Sequence, residues 1–240
     1  MRFRLLDAFE AVFAGRRYRH RANTQGDQVG LELYEDLYQL DRSPKYRAAV
    51  DQRYRGLNLR NVREGIRSRR GDGTFGELIP GQSVIRVPGY AVARGPVATL
   101  DIGIEVKILN KAMIKQINDR ISGLQKQAEY FVRGRDGRSR GNPIAVALIA
   151  INHAEFTVGY EGDRAYRTDG MTHAHPANEA PEVERRLIAE VAPHYDETIV
   201  LRYKATNEAP YPFDWVDRIK SEAGYAAALV RIAGEWERRF

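Results

Sequence analysis

Residues 100–108 alternate strictly, with Leu100, Ile102, Ile104, Val106 and Ile108 apolar and Asp101, Gly103, Glu105 and Lys107 small or charged between them. A period of two predicts a strand with one face on a core and the other carrying an acid and a lysine. The spacing then changes. Ile114, Ile117, Ile121, Leu124, Ala128 and Phe131 recur at alternating intervals of three and four, which predicts an amphipathic helix over residues 111–133. Its opposite side presents Lys115, Asn118, Ser122, Gln125, Lys126 and Glu129. Residues 143–151 (PIAVALIAI) are an unbroken apolar run rich in β-branched side chains, the pattern of a strand covered on both faces. Strand, helix and buried strand in that order predict a crossover unit and an α/β fold.

Upstream, the pattern predicts helices over residues 3–14, 29–40 and 44–70, the last broken near Gly56. Gly71-Asp72-Gly73 closes this helical region. Extended segments at 75–79, 83–87 and 90–93, linked by turns at Pro80-Gly81, Pro88-Gly89 and Gly95-Pro96, lead into a strand over 97–109, which predicts an antiparallel meander. Downstream, an edge strand is expected at 156–160, a helix at 180–191, a strand at 198–204 and a terminal helix at 215–240. The expected organisation is one domain: a helical region 1–70, a core 71–151 built on a mixed central sheet flanked by helices, and a strand and helix extension 152–240.

Composition narrows the function classes. With 240 residues and 43% hydrophobic content, the chain can bury a substantial core. It has no uncharged apolar run of about 18 residues and no secretory leader pattern, so a soluble, cytoplasmic protein without membrane contact is expected. The absence of cysteine excludes disulfides, thiolate metal sites and cysteine nucleophiles. No Walker A loop and no Gly-x-Ser-x-Gly elbow is present, which sets aside NTP hydrolysis and acyl transfer. His173 and His175, with Asp169 nearby, lack helical pairing and carry no zinc expectation.

The balance of 38 Lys+Arg against 32 Asp+Glu gives a net charge of +6, a modest excess whose distribution says more than its size. Arginines gather at 16–21, at Arg53, Arg55, Arg60, Arg63, Arg67, Arg69 and Arg70, and at 133–140. A guanidinium fork matches phosphate oxygens better than an ammonium does, so these clusters point to a polyanionic partner.

On the 100–108 strand, Glu105 and Lys107 project from one side roughly 6.5 to 7 Å apart, which lets a carboxylate hold a divalent metal beside a cation facing a scissile phosphate. Glu105-Val106-Lys107, preceded by turn-linked strands and followed by a long helix and a buried strand, resembles the PD-(D/E)XK nuclease superfamily, over roughly residues 70–151. The resemblance implies a restriction endonuclease-like core with helical N-terminal additions. It implies Glu105 as a metal-binding carboxylate and Lys107 as the residue that positions or activates the attacking water.

The family pattern also needs an upstream acid, usually an aspartate after proline, and this chain has no Pro-Asp dipeptide. Asp101 shares parity with Glu105 but lies about 13 Å away in a regular strand, and reaches it only if Gly103 bulges. Glu77 sits in an extended segment whose cross-strand neighbours would be about 5 Å apart. These two rank equally as the first metal ligand, with Asp72, a natural turn residue, behind them. By the same resemblance, Gln125 or Gln127 on the following helix is a candidate polar neighbour of the site. Glu32, Glu35 and Asp36 are candidates for an acid from the first helix.

The expected activity is hydrolysis of DNA phosphodiesters with Mg²⁺ or Mn²⁺, as in a restriction endonuclease, by a homodimer where both strands are cut. Arg67, Arg69, Arg70, Lys111, Lys115, Arg135, Arg138 and Arg140 are the expected nucleic-acid contacts. A non-catalytic nucleic-acid-binding protein on the same fold is the alternative.

Overall fold

A computed structural model describes residues 2–19, 24–63, 72–132, 142–161, 164–168, 170 and 174–240. The chain is an α/β protein built on a mixed seven-stranded sheet flanked by helices. Its elements in order are α1 (Arg4–Phe13), α2 (Thr24–Leu40), α3 (Pro44–Asp51), β1 (Arg55–Arg63), β2 (Gly73–Glu77), β3 (Arg94–Val97), β4 (Ile102–Leu109) and α4 (Met113–Val132). They continue with β5 (Ile144–Asn152), β6 (Val158–Glu161), β7 (Arg164–Arg167), α5 (Pro176–Glu190), β8 (Glu197–Ala205), β9 (Phe213–Trp215) and α6 (Arg218–Arg239).

The sheet order is β3-β1-β2-β4-β5-β8-β9, with β6 and β7 forming a separate hairpin. The strand, helix and strand predicted from periodicity are β4, α4 and β5. Strands β4 and β5 pair in parallel without a register shift from Ile102↔Ile144 to Leu109↔Ile151, and β8 continues the parallel set. Every residue of β5 is buried, as an apolar run between two helical layers requires. On one face, Ile102, Ile104 and Val106 of β4 join α1, α2, α3 and α6 in a large core. On the other, Ala145, Ala147 and Ile149 of β5 meet Ile117, Ile121, Leu124, Ala128 and Phe131 of the α4 stripe and the buried residues of α5, while Ile114 of the predicted stripe is exposed and Met113 is buried in its place.

The strand expected at the sheet edge over 156–160 is instead β6 of the separate β6–β7 hairpin, and three further expectations change. Residues 44–70 are not one helix: α3 stops at Asp51, Arg53 takes a positive φ of 60°, and the chain turns into β1. At Gly56 a Cβ would lie 2.6 Å from the carbonyl oxygen of Ala93, so only glycine allows that approach. The meander is not wholly antiparallel, because β3 lies outside β1 and pairs with it in parallel. Segments 83–87 and 90–93 are turns tied by the isolated bridge Ile85↔Arg94. Finally, β4 starts at Ile102, since residues 98–101 bend across Gly76 and Glu77, with Ala98 N–H donating to the Glu77 carbonyl at 2.8 Å.

The first helix is capped by another helix. Phe3 offers α1 no side-chain cap, and Asp36 of α2 accepts instead from Arg4 N–H at 2.8 Å and Leu5 N–H at 3.0 Å. Tyr225 of α6 donates its hydroxyl to the same carboxylate at 2.8 Å, so one buried acid joins three helices. Among the described residues, no helix is long and apolar enough to cross a membrane.

Candidate active site

The register of β2 against β4 brings an acid to Glu105, and that acid is Asp72. Gly73 pairs with Ile104 and Thr74 with Gly103, and Asp72, the residue just before β2, lies beyond that last pair at the level of Glu105. Two hydrogen bonds hold it there. Asp72 N–H donates to the Ile104 carbonyl at 3.0 Å, and its Oδ2 accepts from Val106 N–H at 2.7 Å, so Asp72 is tied to the backbone on either side of Glu105. The first turn of α2 lies against the same carboxylate: a Cβ on Gly26 would sit 3.0 Å from Asp72 Oδ1. A helix N-terminus there favours negative charge.

Glu105 is only 6% exposed, and its Oε1 is ion-paired with Lys107 Nζ. Both side chains share the parity of Gly103, which lies under the ring of Phe131 of α4. The predicted pairing of acid and lysine on one strand face is therefore present. Because α4 returns from the end of β4 to the start of β5, it runs antiparallel to both strands. Four residues back from Phe131, about 6 Å of helix, is Gln127, and two residues on from Gly103, about 6.6 Å of strand, is Glu105. Gln127 is thus carried over the Asp72–Glu105 end of the sheet. It is 0% exposed, and among the described residues neither its Oε1 nor its Nε2 has a hydrogen-bond partner. An unsatisfied buried amide costs roughly 1–3 kcal/mol, so its presence calls for a reason. Replacement of Gln127 by leucine is expected to raise stability by about 1–2 kcal/mol in urea unfolding, and an equal loss of stability would show instead that the amide is satisfied within the fold. Gln125, the other candidate, points elsewhere and donates to the Glu190 carbonyl at 2.9 Å.

The two acids ranked first belong to a different cluster. Asp101 precedes β4 and accepts from Arg55 Nε at 2.7 Å and from Thr99 Oγ1 at 2.8 Å. Burial pushes its carboxyl above the usual range, against Arg55 and Thr99, which favour the charged form. Gly103 stays in register with both Thr74 and Ala145, so no bulge draws Asp101 toward Glu105. Glu77 accepts from Arg55 Nη2 at 3.3 Å with its side chain 51% exposed, and lies five residues past Asp72, about 16 Å along the strand. Arg55 ties both acids together below Trp236 and Phe240, a lock at the start of β4 and not a metal site.

The α2 acids are structural as well. Glu32 pairs with Arg4 at 3.0 Å and accepts from Tyr90 OH at 2.6 Å, Glu35 accepts from Ala91 and Val92 N–H, and Asp36 caps α1. Arg67, Arg69, Arg70, Arg135, Arg138, Arg140, Asp169 and His173 lie outside the described residues. Lys111 and Lys115 sit past the C-terminal end of β4 and border a separate cleft.

Among the described residues, no group of three His, Cys, Asp or Glu side chains is placed to hold a metal ion. Asp72 and Glu105 are oxygen donors of the kind a hard cation takes, the Asp72 carboxylate lying against α2 and Glu105 on the side of α4. Mg²⁺ takes oxygen ligands, keeps several waters and is commonly held by one or two carboxylates plus substrate phosphate. Comparison of the chain with protein-family models, with curated proteins and with solved structures finds no match.

Proposed function

We propose that the chain is a metal-dependent phosphodiester hydrolase acting on DNA, with Asp72 and Glu105 as the metal-holding carboxylates and Lys107 beside the attacking water. The observation that supports this reading most is the register that ties Asp72 to the backbone on either side of Glu105, supplying the upstream acid the Glu105-Val106-Lys107 strand lacked. On this reading, β2, β4, α4 and β5 are the heart of a restriction endonuclease-like core. The protein would be a cytoplasmic restriction endonuclease, dimeric where both strands of a duplex are cut.

Bound Mg²⁺ or Mn²⁺ supplies Lewis acidity at the phosphate and lowers the pKa of a coordinated water. The rest falls to the chain. Hydrolysis forms a bond between a water oxygen and phosphorus and breaks one ester P–O bond, the leaving oxygen taking up a proton. Lys107 donates hydrogen bonds that orient the water and adds positive charge where the phosphorane charge develops. Gln127 supplies a polar wall in an otherwise apolar layer. Guanidinium groups suit phosphate oxygens, and the chain is rich in arginine on both sides of the β4 sequence.

Incubation of supercoiled plasmid with the purified protein is expected to give nicked or linear DNA with Mg²⁺ and intact plasmid with EDTA. Tight, salt-sensitive DNA binding without metal-dependent nicking would overturn hydrolysis and leave the reading of a silent nucleic-acid-binding protein.

A further inference from the structure

Past the C-terminal end of β4, where the parallel strands finish, a cleft of about 560 Å³ opens over Asn110. The floor is a closed hydrogen-bond network. Asn110 Oδ1 accepts from Asn152 Nδ2 at 2.5 Å and from Tyr203 OH at 3.3 Å, while its Nδ2 donates to Thr157 Oγ1 at 3.3 Å. Asn152 Oδ1 accepts from Ala154 and Ala205 N–H, and Asn207 holds the backbone of Tyr18 at both its N–H (2.6 Å) and its carbonyl (3.1 Å). With its amides so occupied, this floor is rigid and polar at little cost in flexibility.

The walls combine two kinds of group. Lys111, Lys115 and Arg120 bring positive charge, and Tyr18, Tyr160 and Tyr166 bring ring faces and hydroxyls; none of the described lining residues is acidic. The cations here rest on rings or amides. Lys111 Nζ lies 3.7 Å above the Tyr166 ring, Arg17 lies 3.9 Å above the Tyr160 ring, and Arg120 donates to Gln116 Oε1 at 2.8 Å. A ring face attracts a cation without neutralising its charge. Gly159 makes the wall possible, since a Cβ there would lie 2.3 Å from Tyr166 and 2.5 Å from Lys111 Nζ. Burial pushes the Tyr18 hydroxyl up to about 12 against the pull of Arg120.

The geometry points to a nucleotide site in this cleft, with the phosphate on Lys115 and Arg120 and the base against the tyrosine rings. Its volume lies within the roughly 300–1,000 Å³ of small-ligand sites, and the C-terminal end of parallel strands is where open α/β sheets usually place such ligands. Lys115 and Arg120, both in the lining, answer a phosphate, and the sides of Tyr160 and Tyr166 opposite Arg17 and Lys111 answer a planar base. The same chemistry is offered by a free nucleotide and by an unstacked residue of a single strand. The inference does not depend on the hydrolytic reading of Asp72 and Glu105.

Calorimetry of the full chain in EDTA, where no cleavage proceeds, tests it with four probes: adenosine 5′-monophosphate, a six-residue oligothymidylate, adenosine and inorganic phosphate. At least one of the first two is expected to bind about tenfold or more tighter than either half-ligand, and which of them does identifies the source. Lys115→Ala and Arg120→Ala, both at exposed positions whose loss leaves the core intact, are each expected to weaken that binding about tenfold. Tyr166→Leu should weaken it as well, and Glu105→Gln should leave it unchanged. Binding no tighter than that of inorganic phosphate, or binding lost with Glu105→Gln and kept with Lys115→Ala, would overturn the proposal.

Discussion

Asp72→Asn is expected to reduce Mg²⁺-dependent plasmid nicking by about 10²–10³-fold while leaving the fold intact. The substitution is nearly isosteric and keeps an oxygen to accept from Val106 N–H, so the β2–β4 register should survive with a loss of no more than about 1 kcal/mol. What disappears is one of two negative charges able to hold a divalent ion. Glu105→Gln and Lys107→Ala are expected to do the same by removing the other charge and the cation beside the water. Glu77→Gln, by contrast, should cut within about twofold of wild type, because Glu77 lies about 16 Å from the site and half in solvent. Asp101→Asn should lower the melting temperature through its contact with Arg55 and leave Mn²⁺ binding in calorimetry unaltered. If Glu77→Gln were inactive and Asp72→Asn cut normally, the site assignment would be wrong. The contrast separates the proposed metal site from the Arg55 lock, two acid clusters only a few residues apart in sequence.

That contrast also marks where the sequence stopped being informative. Strand β4, helix α4 and buried strand β5 were readable because each rests on local periodicity: alternation from 100 to 108, a three-and-four stripe from 114 to 131 and an apolar run from 144 to 151. Glu105 and Lys107 come with them, being two residues apart on one element. Asp72 depends on which residue of β2 faces Glu105, and register between strands is set by turns and packing spread over many residues. Reading 44–70 as a helix made matters worse, since it made Gly71-Asp72-Gly73 the end of a helix and removed β1, the strand that pairs with β2. A usable signal was present, because Leu57-Asn58-Leu59-Arg60 alternates with period two. The surrounding arginines, good helix formers, outweighed it. Gln127 was legible as a polar interruption beside the α4 stripe, but its burial followed only from where that helix docks. The α2 acids show the converse, for carboxylates alone do not reveal whether they serve a metal, a cap or an arginine.

Asp36→Ala is expected to destabilise the protein by about 3–5 kcal/mol, a large share of a typical folding free energy. The reason is the number of groups left without an acceptor. Arg4 N–H, Leu5 N–H and the Tyr225 hydroxyl all donate to this carboxylate, and α1, whose Leu5, Leu6, Phe9, Val12 and Phe13 enter the main core, has no side-chain cap of its own. For a chain of this size the melting temperature should fall by about 10 °C or more. The acid also has a pH signature. Burial pushes its carboxyl from 3.8 up to about 6, against the three hydrogen bonds that favour the charged form. A group whose value is raised in the fold stabilises while it holds its proton: that contribution is complete below about 3.8 and is lost as pH rises through about 6. The interval corresponds to about 3 kcal/mol. Asp36→Asn cannot ionise, so its stability relative to wild type in urea unfolding should improve by about that amount between pH 4 and pH 7.5, while every other titrating group is shared by both proteins and cancels. Parallel pH profiles for the two proteins would mean that Asp36 ionises in the fold as easily as in the unfolded chain, and that the three donors offset its burial in full.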